Sequence, residues 1–139
     1  MHIADTGPAP LVTAIERLAR ENADFRSTLW TGTNLQITLM SILPGADIGL
    51  EQHLTHDQLL CIVRGTARVR MGHDVDSLQE WYASPGDVVV VPAGMWHDLV
   101  SLDPEPLRLY SVYAPPQHAH GTIHVSRDAA LAAEAPRPS

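Results

Sequence analysis

A chain of 139 residues, 45% of them hydrophobic, has room for one domain around one core. A formal net charge of −7 argues against nucleic acid or an anionic membrane as partner. Its nine basic residues are all Arg, which excludes Schiff-base chemistry on a lysine, and its single cysteine, Cys61, excludes an intrachain disulfide.

In chain order, residues 1–9 read as an N-terminal arm, either disordered or docked. Pro10 to Asn22 reads as an amphipathic helix, with Leu11, Ala14, Ile15, Leu18 and Ala19 at helical spacing, Pro10 in the first turn and Asn22 at the C-terminal end. Phe25 to Thr31 and Asn34 to Leu43 read as strands joined by a turn at Gly32. Ile48 to His53 is a further strand after the Pro44-Gly45 turn. Gln58 to Arg64 and Thr66 to Met71 form a hairpin about Gly65, and Gly72 to Gln79 is a polar loop. Glu80 to Ala83, Val88 to Val91, Trp96 to Ser101 and Leu107 to Tyr113 complete the strands. The APPQHAHGTIH stretch is irregular, and Asp128 to Ala135 is a frayed helix before a Pro-rich end. Short strands broken by Gly and Pro are the pattern of an antiparallel barrel or jelly roll. The expected organisation is an arm and helix over 1–23, a barrel over 24–125 and a tail over 126–139. No apolar run approaches the roughly 20 residues that span a bilayer. The opening MHIADTGPAP lacks the pattern of a secretory signal, so a reducing cytoplasm is the expected compartment.

The chemistry concentrates between Gly45 and Gly65. In an extended segment, period-2 alternation puts Glu51 and His53 on one face with Gln52 turned away. A short loop, Leu54 to Asp57, then returns the chain so that Gln58 opens the next strand. A second segment, GDVVVVPAGMWHDLVS, runs a buried strand into the Pro92-Ala93-Gly94 turn and presents His97 three residues later. A carboxylate on an inward barrel face is costly unless paired or bound to a cation, which makes Glu51 the most telling of these residues. By residue type alone His53 and His97 would be satisfied core histidines, and Gln58 would bond a strand carbonyl. Together the four form a donor set suited to a borderline divalent ion: Zn, Mn, Fe, Co or Ni.

These spacings resemble the two motifs of the cupins. The first motif of that family runs Gly, five residues, His-x-His, three or four residues, Glu, six residues, Gly. Here Gly45, Glu51-x-His53, Gln58 and Gly65 stand in its register. The second runs Gly, five residues, Pro-x-Gly, two residues, His, three residues, Asn, and is matched by Gly86, Pro92, Gly94, His97 and Ser101. The family's first His is Glu51 here, its Glu is Gln58 and its final Asn is Ser101. Carboxylate and neutral ligand have thus changed places, and the charge given to the metal stays at minus one. The resemblance implies an all-β jelly-roll barrel with a short N-terminal helix, holding one ion on Glu51, His53, Gln58 and His97. The DIGLE-x-H, DQ and YAPPxHxHGTxH stretches further resemble small single-domain cupins of the mannose-6-phosphate isomerase-like group. That resemblance implies a metal-dependent enzyme on a small oxygenated metabolite, by isomerase or other enolate-type chemistry. An iron-dependent dioxygenase and a non-catalytic metabolite-binding cupin are the alternatives.

Other polar residues have plainer expected roles. His56 and Asp57 are solvated on their loop. His118, His120 and His124 are a surface cluster, with a second ion as the rarer alternative. Cys61 is a small core hydrophobe, Arg68 and Arg70 face solvent, and Arg64 and Arg108 are candidate anion contacts. An uncovered apolar sheet face at Trp30, Leu35, Ile37 and Leu39 implies a two-fold homodimer through the N-terminal strands, unless the first helix folds back over it.

Overall fold

The structure, a computed structural model, describes residues 3–134. Its elements are α1 (Ile15–Glu21), β1 (Arg26–Thr31), β2 (Gln36–Ile42), β3 (Glu51–Gln52), β4 (Asp57–Arg64), β5 (Ala67–Gly72), β6 (Gln79–Ala83), β7 (Val88–Val91), β8 (Trp96–Ser101), β9 (Leu107–Ala114), β10 (Ile123–His124) and α2 (Arg127–Glu134). Two antiparallel sheets, ordered β10-β1-β2-β9-β4-β7 and β3-β8-β5-β6, face each other as the expected jelly roll.

Alternation along the strands decides what lies between the sheets. Met40, Leu109 and Ile62 stand opposite one another across β2, β9 and β4, and meet Val69 and Leu99 of the smaller sheet in the core. Moving along the same inward face, the next row is Thr38, Ser111 and Leu60, and the one after it Gln36, Tyr113 and Gln58. All are buried, so the interior grades from apolar to polar along the barrel. Buried polar rows of this kind are costly unless their groups find partners. The polar end is therefore the place to look for chemistry.

Helix α1 is shorter than its periodicity suggested. Ala14 precedes it with no side-chain cap, and β-branched Val12 and Thr13 lie outside it in irregular chain. Its C-terminus does end at Asn22, whose carboxamide binds both the Asp24 carbonyl and the Asp24 N–H. Ala19 of α1 packs on Leu29 and Leu39, with Ile37, Val63 and Tyr110 around them. Of the residues expected at an interface with a second copy, Leu39 lies under a helix of its own chain, Ile37 is partly covered and Leu35 stays 38% exposed. The N-terminal arm is docked. The Asp5 carboxylate accepts hydrogen bonds from the Thr31 N–H and hydroxyl and from the backbone N–H groups of Gly7 and Gly121.

The expected strand from Ile48 survives only as β3, because Gly49 at φ 87° turns the chain out of extended geometry just before Glu51. At the far end α2 begins at Arg127 and buries Ala130 against the core, while Ala135, expected to end it, lies outside the described residues. Cys61 is only half-buried and lies against Tyr110 rather than in the core. Arg70 pairs with buried Asp98 at 3.3 Å while its side chain stays 38% exposed, Arg64 pairs with Glu105 at 2.7 Å, and Arg108 donates to the Arg20 carbonyl. Neither Arg64 nor Arg108 is at the polar end of the barrel. No helix among the described residues is long and apolar enough to cross a membrane.

If α1 is the cover of this sheet, Leu39→Ala should cost about 2–5 kcal/mol, whereas Leu35→Ala, at a residue 38% exposed, should cost under about 1 kcal/mol. Urea denaturation of the two variants checks this, and equal losses would mean that the helix contributes little to covering the face.

Candidate metal centre

Strand pairing creates the centre. In the β3–β8 ladder Glu51 stands directly opposite His97, and the two-residue offset puts His53 on the same side as Glu51. The loops carrying them are tied together: the Gly94 N–H donates to the His53 carbonyl at 2.8 Å and Gln52 Nε2 to the Gly94 carbonyl at 2.9 Å. The Ala93 N–H also donates to the Asp57 carboxylate at 2.9 Å, so Asp57 has a structural partner. The turn made by Pro92 and Gly94 is thereby clamped onto the segment bearing Glu51 and His53.

The result is a convergence of lone pairs. Glu51 Oε1 lies 3.4 Å from His53 Nε2 and 3.4 Å from His97 Nε2. These distances are not matched by aligned hydrogen bonds, and both Nε2 atoms are buried without a partner. His97 Nδ1 lies 3.2 Å from the Met95 carbonyl, which can only accept, so that nitrogen carries a proton and leaves Nε2 as a bare donor pair. A bare nitrogen facing a carboxylate is repelled unless a proton or a metal cation sits between them. Burial pushes the Glu51 carboxyl up, while hydrogen bonds and positive charge from His53 and His97, when these carry the proton, pull it down to about 2. Glu51, His53 and His97 have ligand atoms within 4.8 Å of one another, and they fit a metal ion.

Gln58, the fourth residue expected, is buried on β4 opposite Tyr113, whose ring lies 5.9 Å from that of His53. Its Nε2 donates to the Ser111 hydroxyl at 3.0 Å, which fixes the amide and leaves Oε1 buried and unpartnered. An acceptor is therefore held in reserve on the wall beside the triad.

Three residues acquire roles that the sequence did not suggest. His56 is half-buried, its ring 6.0 Å from His53 and its Nε2 3.1 Å from the Pro116 carbonyl, so it joins the ligand loop to the later segment. His118 lies against Tyr113 at 5.3 Å with a buried, unpartnered Nε2, and is part of the interior rather than of a surface cluster. Buried Gln36 holds it there: its Oε1 accepts from the backbone N–H groups of Gln117 and His118, and its Nε2 donates to the His118 carbonyl. The third residue is Arg26, an arginine buried on β1. No sequence periodicity separates it from surface arginines. His120 stays outside, paired with Asp5 at 3.3 Å, so the three later histidines do not converge on a second ion.

Burial foremost, and then the Arg26 charge, push His118 down from 6.5 to about 3. The unfolded chain binds this proton where the folded one does not. The His118 contribution is thus constant above about pH 6.5 and destabilises progressively as pH falls from 6.5 towards 3. Glu51, depressed from 4.5 to about 2, acts in the same direction but only at lower pH. Unfolding free energies from urea titrations between pH 7 and 5 should fall in the wild-type chain, by less than about 1.4 kcal/mol per pH unit for this group. They should flatten in His118→Gln, and identical slopes would show that His118 titrates freely.

Comparison with known proteins agrees with the geometry. Residues 38–113 match the Cupin_2 family, described as Cupin domain. The chain is 45% identical over 133 residues to the uncharacterized protein YrkC of Bacillus subtilis, covering 95% of this chain and 72% of that one. The crystal structure of BH2720 from Bacillus halodurans superposes with a TM-score of 0.92 at 46% identity, covering 94% of this chain and 99% of the other. KdgF from Halomonas sp., at 21% identity and a TM-score of 0.60 over 84% of this chain and 96% of its own, shares the fold. With its family matched over more than half its length and its two motif loops clamped about one cluster of ligands, this chain belongs to the cupins.

Proposed function

We propose that the chain holds one divalent transition metal ion on Glu51, His53, His97 and the Gln58 amide oxygen, and that it is an enzyme acting on a small oxygenated metabolite. The observation that carries this is the pair of unpartnered buried nitrogens, His53 Nε2 and His97 Nε2, each 3.4 Å from Glu51 Oε1, with the unpartnered Gln58 Oε1 on the strand opposite Tyr113. Such an ion would supply Lewis-acid chemistry, polarising a carbonyl, stabilising an enediolate or lowering the pKa of a bound water. Glu51 would neutralise part of its charge, and Gln58 would coordinate through a weak neutral donor that a substrate oxygen can replace. Tyr113 is fully buried and burial raises its phenol to about 12, so it remains a proton-bearing donor at neutral pH. His118, neutral beside it, is an acceptor and a candidate proton carrier. Proton abstraction next to a carbonyl, as in an isomerase of the mannose-6-phosphate isomerase-like kind, uses this combination.

A second reading rests on the same ligands. Two neutral histidines and one carboxylate are the donor set of non-haem iron oxygenases, so an iron-dependent dioxygenase is the alternative. Elemental analysis of protein purified without an affinity tag or added metal separates them. Iron with oxygen uptake in the presence of substrate supports the oxygenase, and zinc supports the isomerase-like reading. Ligand binding with no turnover would indicate a non-catalytic cupin.

The ligand assignment predicts an order of effects. His53→Ala and His97→Ala should each lose most of the bound metal, and Gln58→Ala should lose less, as measured by metal content after dialysis. Full metal content in both histidine variants would refute the centre. Any turnover found should vanish with chelator and return with metal, while Cys61→Ala keeps it, because the only thiol lies on the opposite side of β4 from Gln58 and Leu60. Turnover by protein confirmed to be metal-free would overturn the metal mechanism.

A further inference from the structure

Arg26 is 4% exposed and places a guanidinium inside the barrel. Its Nη1 meets Glu134 Oε1 of α2 at 3.2 Å and His124 Nδ1 at 3.2 Å, while its Nε is buried with no partner. The balancing carboxylate is itself 53% exposed, so the buried guanidinium, whose central carbon also lies 5.2 Å from the Phe25 ring centroid, meets a carboxylate through one nitrogen only, at the rim. A buried cation so thinly compensated is costly unless another anion completes it.

This charge belongs to the same interior as the metal centre. Ring contacts run without a break from His97 to His53 at 5.5 Å, His53 to Tyr113 at 5.9 Å, Tyr113 to His118 at 5.3 Å and His118 to His124 at 6.5 Å. His124 then contacts Arg26. After burial, Arg26 is the next cause of the lowered His118 pKa, so its field is felt at the centre of this line. A second cation at His118 and His124 is disfavoured by the guanidinium beside them. With a divalent ion on Glu51 the metal would keep one net positive charge, and Arg26 carries a second whose paired carboxylate, Glu134, stands at the rim. In a chain of net charge −7, that pole selects small anions.

We propose that Arg26, flanked by His124 and His118, is an anion-binding subsite for the substrate, and that the substrate is a small acid. One end of it meets the metal through oxygen, and a second anionic group displaces Glu134 from Arg26. The inference rests on the metal reading above for its first contact and on Arg26 alone for its second.

Calorimetric titration tests it, with 2-oxo dicarboxylic acids of increasing chain length as probes. Each is set beside the 2-oxo monocarboxylic acid of equal length, on manganese-loaded and on metal-free protein. At one chain length the second carboxylate should tighten binding about tenfold. Arg26→Gln should erase that difference without changing metal content. Glu134→Gln, which removes the competing carboxylate, should strengthen dicarboxylate binding about threefold. The preference should persist, at lower overall affinity, in the metal-free protein. Protein that takes up no manganese but keeps the Arg26-dependent preference would refute the metal reading and leave the subsite standing. No preference at any length, or a preference that survives in Arg26→Gln, would overturn the subsite. If Arg26→Gln does not fold, as judged by circular dichroism, Glu134→Gln decides: unchanged dicarboxylate affinity would overturn the proposal.

Discussion

Three lone pairs meeting at one buried point is the constraint on which the rest of this structure turns. Glu51, His53 and His97 come within 3.4 Å of one another in pairs about the carboxylate, an arrangement that repels itself unless positive charge sits among the atoms. The hydrogen bonds that join His53, Gln52 and Gly94, added to the β3–β8 ladder, keep the three bearing positions adjacent, and the Met95 carbonyl orients the His97 ring. A two-residue strand is weak by itself, so these loop contacts are what fix the ligand geometry.

The grading of the barrel interior serves the same end. Apolar rows of Met40, Leu109 and Ile62 supply the burial that stabilises the fold, leaving the rows of Gln36, Tyr113 and Gln58 to carry polar groups. Those polar groups are organised from outside the barrel strands. Gln36 grips the backbone at Gln117 and His118, Asp5 ties the N-terminal arm to Gly121, and Glu134 of α2 reaches Arg26. Arm, late loop and last helix thus converge on the end of the barrel where the chemistry is placed. The segments outside the two motif loops are part of the site's wall.

How much of this was legible in the sequence follows from the range of each interaction. Glu51 and His53 could be placed on one face because alternation is a local property, and His97 because its turn residues, Pro92 and Gly94, fix the chain three residues before it. The shortened β3 was not legible, since Gly49 was read as part of a strand and not as the left-handed residue that ends it. Helix α1 was over-extended because apolar spacing continues through Leu11 while nothing caps the chain before Ala14. The burial of Arg26 and of His118, which reads as a surface histidine, is hidden for a different reason. Their burial depends on partners 98 and 82 positions away in sequence, His124 for the one and Gln36 for the other, and no local pattern records such contacts. His56 was read as solvated for the same reason, its partner being the Pro116 carbonyl.

Exposure within the triad adds a direction to the site. Glu51 is 30% exposed, His53 13% and His97 0%, so the charged ligand is also the accessible one. An ion would arrive at the carboxylate and then engage the deeper imidazoles, consistent with attraction by charge preceding selection by softer nitrogen donors. Had the carboxylate stood at the position of Gln58, 2% exposed, the same net charge would lie deep in the barrel wall and cost more to desolvate before an ion reached it. Placing the neutral amide inside and the carboxylate at the approach keeps the unmetallated protein less strained.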